Sequence, residues 1–171
     1  VVMLYNSLSR DLNIKWSSGT PSSGNILLRA NSSERFAMPL SATAAYKFEN
    51  PTKESFVAIE IVDSYTPGGG GNDGATRDWA FNLISEARLT DFASVAWAPG
   101  STDLSRNDNP LWVTPVGKTT VYIKYDGNVL TGTNTSPCGL KFDISVPVNQ
   151  LNYIKIKDAS DNDQSGTAVF T

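Results

Sequence analysis

Histidine is absent from the 171 residues and cysteine occurs once, at Cys138. Without histidine there is no Ser-His-Asp triad, no Cys-His pair and no His-ligated metal centre. A single thiol excludes an internal disulfide framework. Basic excess is missing too. Lys and Arg number 14 against 17 Asp and Glu, a formal net charge of −3, so no broad positive field exists to hold nucleic acid or an anionic membrane. No apolar run approaches the ~20 residues that a membrane-spanning helix needs, so membrane insertion is not expected. Two kinds of chemistry survive these absences: glycoside cleavage on paired carboxylates, and binding of hard cations by oxygen ligands.

What is present is a β-forming chain. Hydrophobic residues make up 40% of it, enough to bury a core. Short runs of β-branched, aromatic and alternating residues recur between Gly, Pro, Asn and Asp turn signals. Residues 11–16 (DLNIKW) put Leu12, Ile14 and Trp16 on one face. Residues 55–62 (SFVAIEIV) are the most β-prone run, apolar on both faces except at Glu60, and read as an interior strand. Residues 77–84 set Trp79, Phe81 and Leu83 on one side, and 140–146 (LKFDISV) alternate with Leu140, Phe142, Ile144 and Val146 facing inward. The stretch 95–126 carries two of the four tryptophans and three strand-like runs cut by Pro99, Pro110 and Pro115. The glycine-rich segment 66–74 reads as a hairpin loop rather than a phosphate cradle, since no GK[ST] follows it. Residues 85–90 (SEARLT) offer one short helical turn. The expectation is an all-β chain: a β-sandwich of jelly-roll or Ig-like type with long loops, folded as a single domain over 1–171 and excised from a longer extracellular protein.

The sharpest local motif is Asp161-Asn162-Asp163-Gln164-Ser165-Gly166, preceded by Asp158. In D-x-[DN]-x-[DN]-G loops, oxygens at alternate positions converge on one Ca²⁺ and the glycine permits the turn. Here Ser165 replaces the third acid or amide, and the bidentate Glu of a complete loop has no counterpart in the 171 residues. Two readings stand: calcium held by Asp158, Asp161, Asp163 and Ser165, or a solvated acidic turn with Asx-type hydrogen bonds. Asp126-Gly127-Asn128 is a weaker oxygen-rich turn, able to share an ion if the two loops meet.

Trp79 and Trp97 sit in step with Phe81 and Val95 and read as core, whereas Trp112, after Pro110 and beside a polar loop, reads as the exposed tryptophan. A sugar ring stacked on Trp112, with Asp103, Asp108 or Asn109 as polar partners, is the binding alternative. No carboxylate pair is visible; Glu60 and Asp63 are the only acids embedded in the strongest strand, and no catalytic role is expected of them. Cys138, between Pro137 and Gly139, reads as an unpaired loop thiol.

Five motifs occur in order over roughly residues 77–171: Asp78-Trp79-Ala80-Phe81-Asn82-Leu83-Ile84, Trp97-Ala98-Pro99-Gly100-Ser101, Pro110-Leu111-Trp112-Val113-Thr114-Pro115, the run 119–127, and the turn 161–166. In that order they resemble a module of large secreted, adhesin-like cell-surface proteins of bacteria. The resemblance implies an extracellular location and a β architecture, with no activity attached. The expected role is therefore a non-catalytic structural module of an adhesin-like or filament-forming protein, with Ca²⁺ as a candidate stiffening ion, meeting neighbouring modules or subunits by strand exchange. A carbohydrate-binding module meeting surface glycans is the alternative, and a glycan-cleaving enzyme the third reading.

Overall fold

The computed structural model describes residues 1–20, 22–38, 44–62, 79–96, 111–126, 134–157 and 163–171. Among them the chain is all-β, with fifteen strands and one 3-10 turn at Glu86–Arg88, inside the segment expected to hold a helical turn. Two compact units emerge. The first comprises Val1–Ser17, Pro21–Ala42 and Tyr46–Ala87; the second comprises Ser18–Thr20, Thr43–Ala45 and Arg88–Thr171.

The strands of the first unit are β1 (Val2–Asn6), β2 (Leu12–Ser18), β3 (Ser23–Leu28), β4 (Ser32–Phe36), β5 (Tyr46–Glu49), β6 (Val57–Val62) and β7 (Trp79–Asn82). Alternation along β1 and β2 sends Val2, Leu4, Leu12 and Ile14 to one side, where they are buried together with Leu28. One sheet has the order β4-β1-β6-β7 and the other β3-β2-β5. Both contribute to this cluster, so the unit is a two-layer sandwich. Each fully buried aliphatic side chain contributes about 1.5–3 kcal/mol relative to its exposed state.

β6 is paired on both sides, with β1 and β7, which is the interior position its composition predicts. Its second face is not covered as the sequence suggested. Val57 and Ile61 are 44% and 38% exposed beside Tyr5 at 43%, because the opposing sheet packs on the Leu4 side alone. On β7 the expected alternation holds in part. Leu83 donates its N–H to Ala58 O and packs on the core, whereas Phe81, opposite Glu60 on the outermost strand, stays 44% exposed.

Two local devices shape this unit. Trp16 packs on Phe36 and Tyr46 at 5.2 and 6.0 Å, and Phe36 on Phe48 at 5.1 Å. Gly24 lies opposite Trp16 in the β2–β3 ladder, and a Cβ there would come within 2.7 Å of the indole Nε1, so the ring fills the space of the missing side chain. The other device is Asn6, which is fully buried at the end of β1. Its Nδ2 donates to the carbonyls of Arg10, Leu28 and Arg29 at 2.7, 3.2 and 3.1 Å, and its Oδ1 accepts the Leu8 N–H at 2.9 Å. One amide thus satisfies the backbone where three segments leave their ladders.

The strands of the second unit are β8 (Phe92–Ser94), β9 (Leu111–Val113), β10 (Thr119–Lys124), β11 (Asn134–Thr135), β12 (Lys141–Phe142), β13 (Ile144–Val148), β14 (Ile154–Ile156) and β15 (Ala168–Phe170). They form an antiparallel sheet of order β13-β10-β15-β8, the pair β14-β9 and the hairpin β11-β12. Val121, Ile123 and Tyr125 alternate from β10 onto a core shared with Val148, Ile156 and Val169, and Leu111, Val113 and Ile154 of the small sheet pack against it. β13 carries Pro147 opposite Thr120 at the end of the strand order, the position where a residue without an N–H is tolerated.

The single strand expected at 140–146 is broken. β12 and β13 are separate, Leu140 and Ile144 are 43% and 36% exposed, and Asp143 between them is buried. A pair of hydrogen bonds explains the break. The Tyr125 N–H donates to Asp143 Oδ2 and the Asp143 N–H to Ile123 O, both at 2.8 Å. The chain is thereby turned, and Phe142 lies on Tyr122, which points away from the core. Tyr122 in turn stacks on Phe170 and Phe170 on Phe92, at 5.6 and 6.2 Å, in register across three strands.

Asn6→Ala leaves three carbonyls and one N–H of the first unit without their partner. Chemical denaturation should show a loss of about 2–4 kcal/mol, well above the effect of an exposed substitution such as Ser7→Ala.

Candidate functional site

Buried polar side chains of the second unit concentrate where β10 ends. Lys124 pairs with Ala168 at the last step of the β10–β15 ladder, and just beyond it Asp126 comes up against Gly166. The approach at Gly166 is close: a Cβ there would lie 2.9 Å from Asp126 Cβ, and its φ of 80° belongs to the left-handed region that glycine adopts freely. The Thr167 N–H donates to Gln164 O at 3.2 Å, closing the turn, and Gly166 and Val95 extend the β15–β8 ladder through Gly166 N–H to Val95 O and Val95 N–H to Thr167 O.

Asp126 and Gly166, the described ends of the two oxygen-rich segments identified in the sequence, are therefore neighbours. Within the 161–166 motif, Asp163 Oδ1 accepts the Ser165 N–H at 2.8 Å, an Asx turn, and Gln164 is fully buried. Of the residues read as calcium ligands, Asp163 and Ser165 are half-buried in this turn, while Asp158 and Asp161 lie outside the described residues. Among the described residues no three acidic or thiol side chains come together as a metal-binding group. Asp143, which the alternation had placed facing outward, is 9% exposed and caps Tyr125 from the β13 side. Buried oxygens without a hydrogen-bond partner among the described residues are Asp126 Oδ1, Asp143 Oδ1 and Thr167 Oγ1. The one sequence signal for Asp143 is an acid inside an otherwise β-prone run, where Asp is disfavoured. Thr167 and Gln164 carry no such signal.

A second feature sits on the β9–β14 pair. Leu111 and Val113 face the core, so alternation turns Trp112 outward, and it is 58% exposed. Tyr153 meets the indole edge to face at 4.8 Å, and Lys155, its cross-strand neighbour, places Nζ 5.8 Å from the ring centroid. Tyr153 and Lys155 escaped the sequence reading because only the β9–β14 pairing brings them to Trp112. Asp103, Asp108 and Asn109, the polar partners expected for a sugar on Trp112, lie outside the described residues, as do Trp97 and Asp63. Glu60 is half-buried, opposite Val2 and Phe81.

Cys138 is exposed at the tip of the β11–β12 hairpin, with Ser136 Oγ 3.0 Å from its sulfur. It lines an open cavity of about 320 Å³ with Thr119, Thr120, Tyr122, Pro137 and Thr171. The Ser136 hydroxyl, and after it the Leu140 amide, hold the thiol below its ordinary pKa. Thiol titration with a chromogenic disulfide at pH 7.5 should therefore modify Cys138 faster than a cysteine in an unstructured peptide. Ser136→Ala should bring the rate down towards the peptide value.

Comparisons with protein-family models, with curated proteins and with solved structures find no match to this chain.

Proposed function

We propose that the chain is a non-catalytic structural module of a secreted, adhesin-like or filament-forming bacterial surface protein. The observation that supports this best is how the polar side chains of the described residues are used. Asn6 is committed to four backbone groups, Asp11 accepts the Ala30 N–H, Asn50 accepts the Thr52 N–H and donates to Asn13 O, and Asp143 accepts the Tyr125 N–H. These groups hold strand ends in place, as a rigid spacer requires. The order of the five motifs over residues 77–171 supports the cell-surface setting. Among the described residues β8 ends its sheet, at the opposite margin from Pro147, and is the edge a neighbouring module would extend by adding a strand. Antibodies raised against the chain should label intact cells of its source. Labelling that appears only after permeabilisation would overturn the reading.

A second reading, a carbohydrate-binding module, is favoured by one observation: an indole 58% exposed with a tyrosine ring 4.8 Å from it. Sugar rings stack on such a surface through their C–H faces. Intrinsic fluorescence titrated with a panel of polysaccharides is the direct measurement. For this reading Trp112→Ala should weaken retention about tenfold or more. The melting temperature should fall by only a few degrees, because more than half of Trp112 is already exposed. An unresponsive panel removes this reading and leaves the structural one standing.

A further inference from the structure

We infer that the end of β10 is a binding site for a hard divalent cation, Ca²⁺ by preference, with the carboxylates of Asp126 and Asp143 as its charged ligands. This goes beyond the structural-module reading and does not depend on it. It also names a ligand pair different from the acids of the 158–165 segment.

Asp143 is 9% exposed, and its Oδ2 is occupied by the Tyr125 N–H at 2.8 Å. Its Oδ1 is buried and receives no hydrogen bond among the described residues. A carboxylate taken out of water with one oxygen bare is unfavourable until a cation or another donor meets it. Asp126 follows the capped Tyr125 directly, and its Oδ1 is also buried without a partner among the described residues. Neither acid belongs to an ion pair among those residues, where Lys47 pairs with Glu49 and Glu86, and Arg10 with Glu54. The two carboxylates thus leave a deficit of positive charge among the described residues, beside the buried side chains of Gln164 and Thr167.

The chemistry of this set selects the ion. Oxygen ligands without nitrogen or sulfur suit Ca²⁺ and Mg²⁺ rather than zinc or copper. The two carboxylates come from separate segments, and Ca²⁺ accepts six to eight oxygens in irregular geometry, whereas Mg²⁺ demands a near-ideal octahedron. Two carboxylates leave room for neutral oxygens and water in the remaining positions. The Gly166 contact is part of the arrangement, since a side chain there would displace Asp126.

Thermal unfolding of the full chain, stripped with a chelator and then titrated with calcium chloride, is the test. Calcium at about a hundred times its dissociation constant should raise the melting temperature by roughly 5–10 °C. Asp143→Asn retains an acceptor for Tyr125 but not the charge, and it should abolish most of the rise with an unchanged circular dichroism spectrum. Asp126→Asn, at a partly exposed position, is the second variant in case the first does not fold, and it should do the same. The inference is overturned if the wild-type chain shows no calcium-dependent rise. It is equally overturned if the rise survives in the Asp126→Asn and Asp143→Asn variants but is lost in Asp163→Asn, which would put the ion in the acidic turn instead.

Discussion

A strand that leaves its sheet takes its amides and carbonyls with it, and in a buried setting each of them needs a new partner. That constraint governs where this chain can place its polar residues. In the first unit the problem is met at one point by Asn6, whose amide bonds the carbonyls of Arg10, Leu28 and Arg29 while accepting from Leu8. In the second it is met by Asp143, which closes the end of β10 and in doing so breaks the strand it belongs to. The two solutions differ in charge. An amide is satisfied by backbone alone, whereas a carboxylate brings a charge that backbone bonds leave uncompensated, and the proposed cation answers that difference.

Much of the architecture was legible because alternation is a direct consequence of the pleat. The burial of Leu12 and Ile14 and of Val121 and Ile123 follows from period two, and the interior position of 57–62 from its β-prone composition. Alternation misled where a polar side chain had its own bonding to satisfy. LKFDISV has an almost ideal pattern, yet the Asp143 carboxylate turns in and Leu140 and Ile144 turn out. It misled also where composition was taken for environment. β6 is apolar on both faces, but a two-layer unit supplies one opposing sheet, and Val57 and Ile61 stay exposed.

The candidate sites divide along the same line. Exposure of Trp112 follows from local facts, a short strand whose flanking Leu111 and Val113 face the core. Its companions Tyr153 and Lys155 are some 40 residues away in sequence and meet it through strand pairing alone. At the end of β10 the meetings of Asp143 with Tyr125 and of Asp126 with Gly166 likewise arise from strand pairing rather than from sequence neighbours. Motif reading found the acidic turn and Asp126, because clustered oxygens are visible in one dimension. It passed over Asp143, whose significance arises from a bond to residue 125.

Neither compact unit is a continuous stretch of chain. The second draws in Ser18–Thr20 and Thr43–Ala45, where Ala45 donates its N–H to Leu151 O at 2.8 Å and Ala44 bridges Asn152. Gly19, against Leu151, completes the same excursion. During synthesis the first unit can gather its strands as soon as residue 87 has emerged, while the early segments destined for the second wait about 65 residues more, until Leu151 and Asn152 are made. Cleavage between residues 87 and 88 would therefore not yield two complete halves: the C-terminal piece would lack the segments that dock on Leu151 and Asn152.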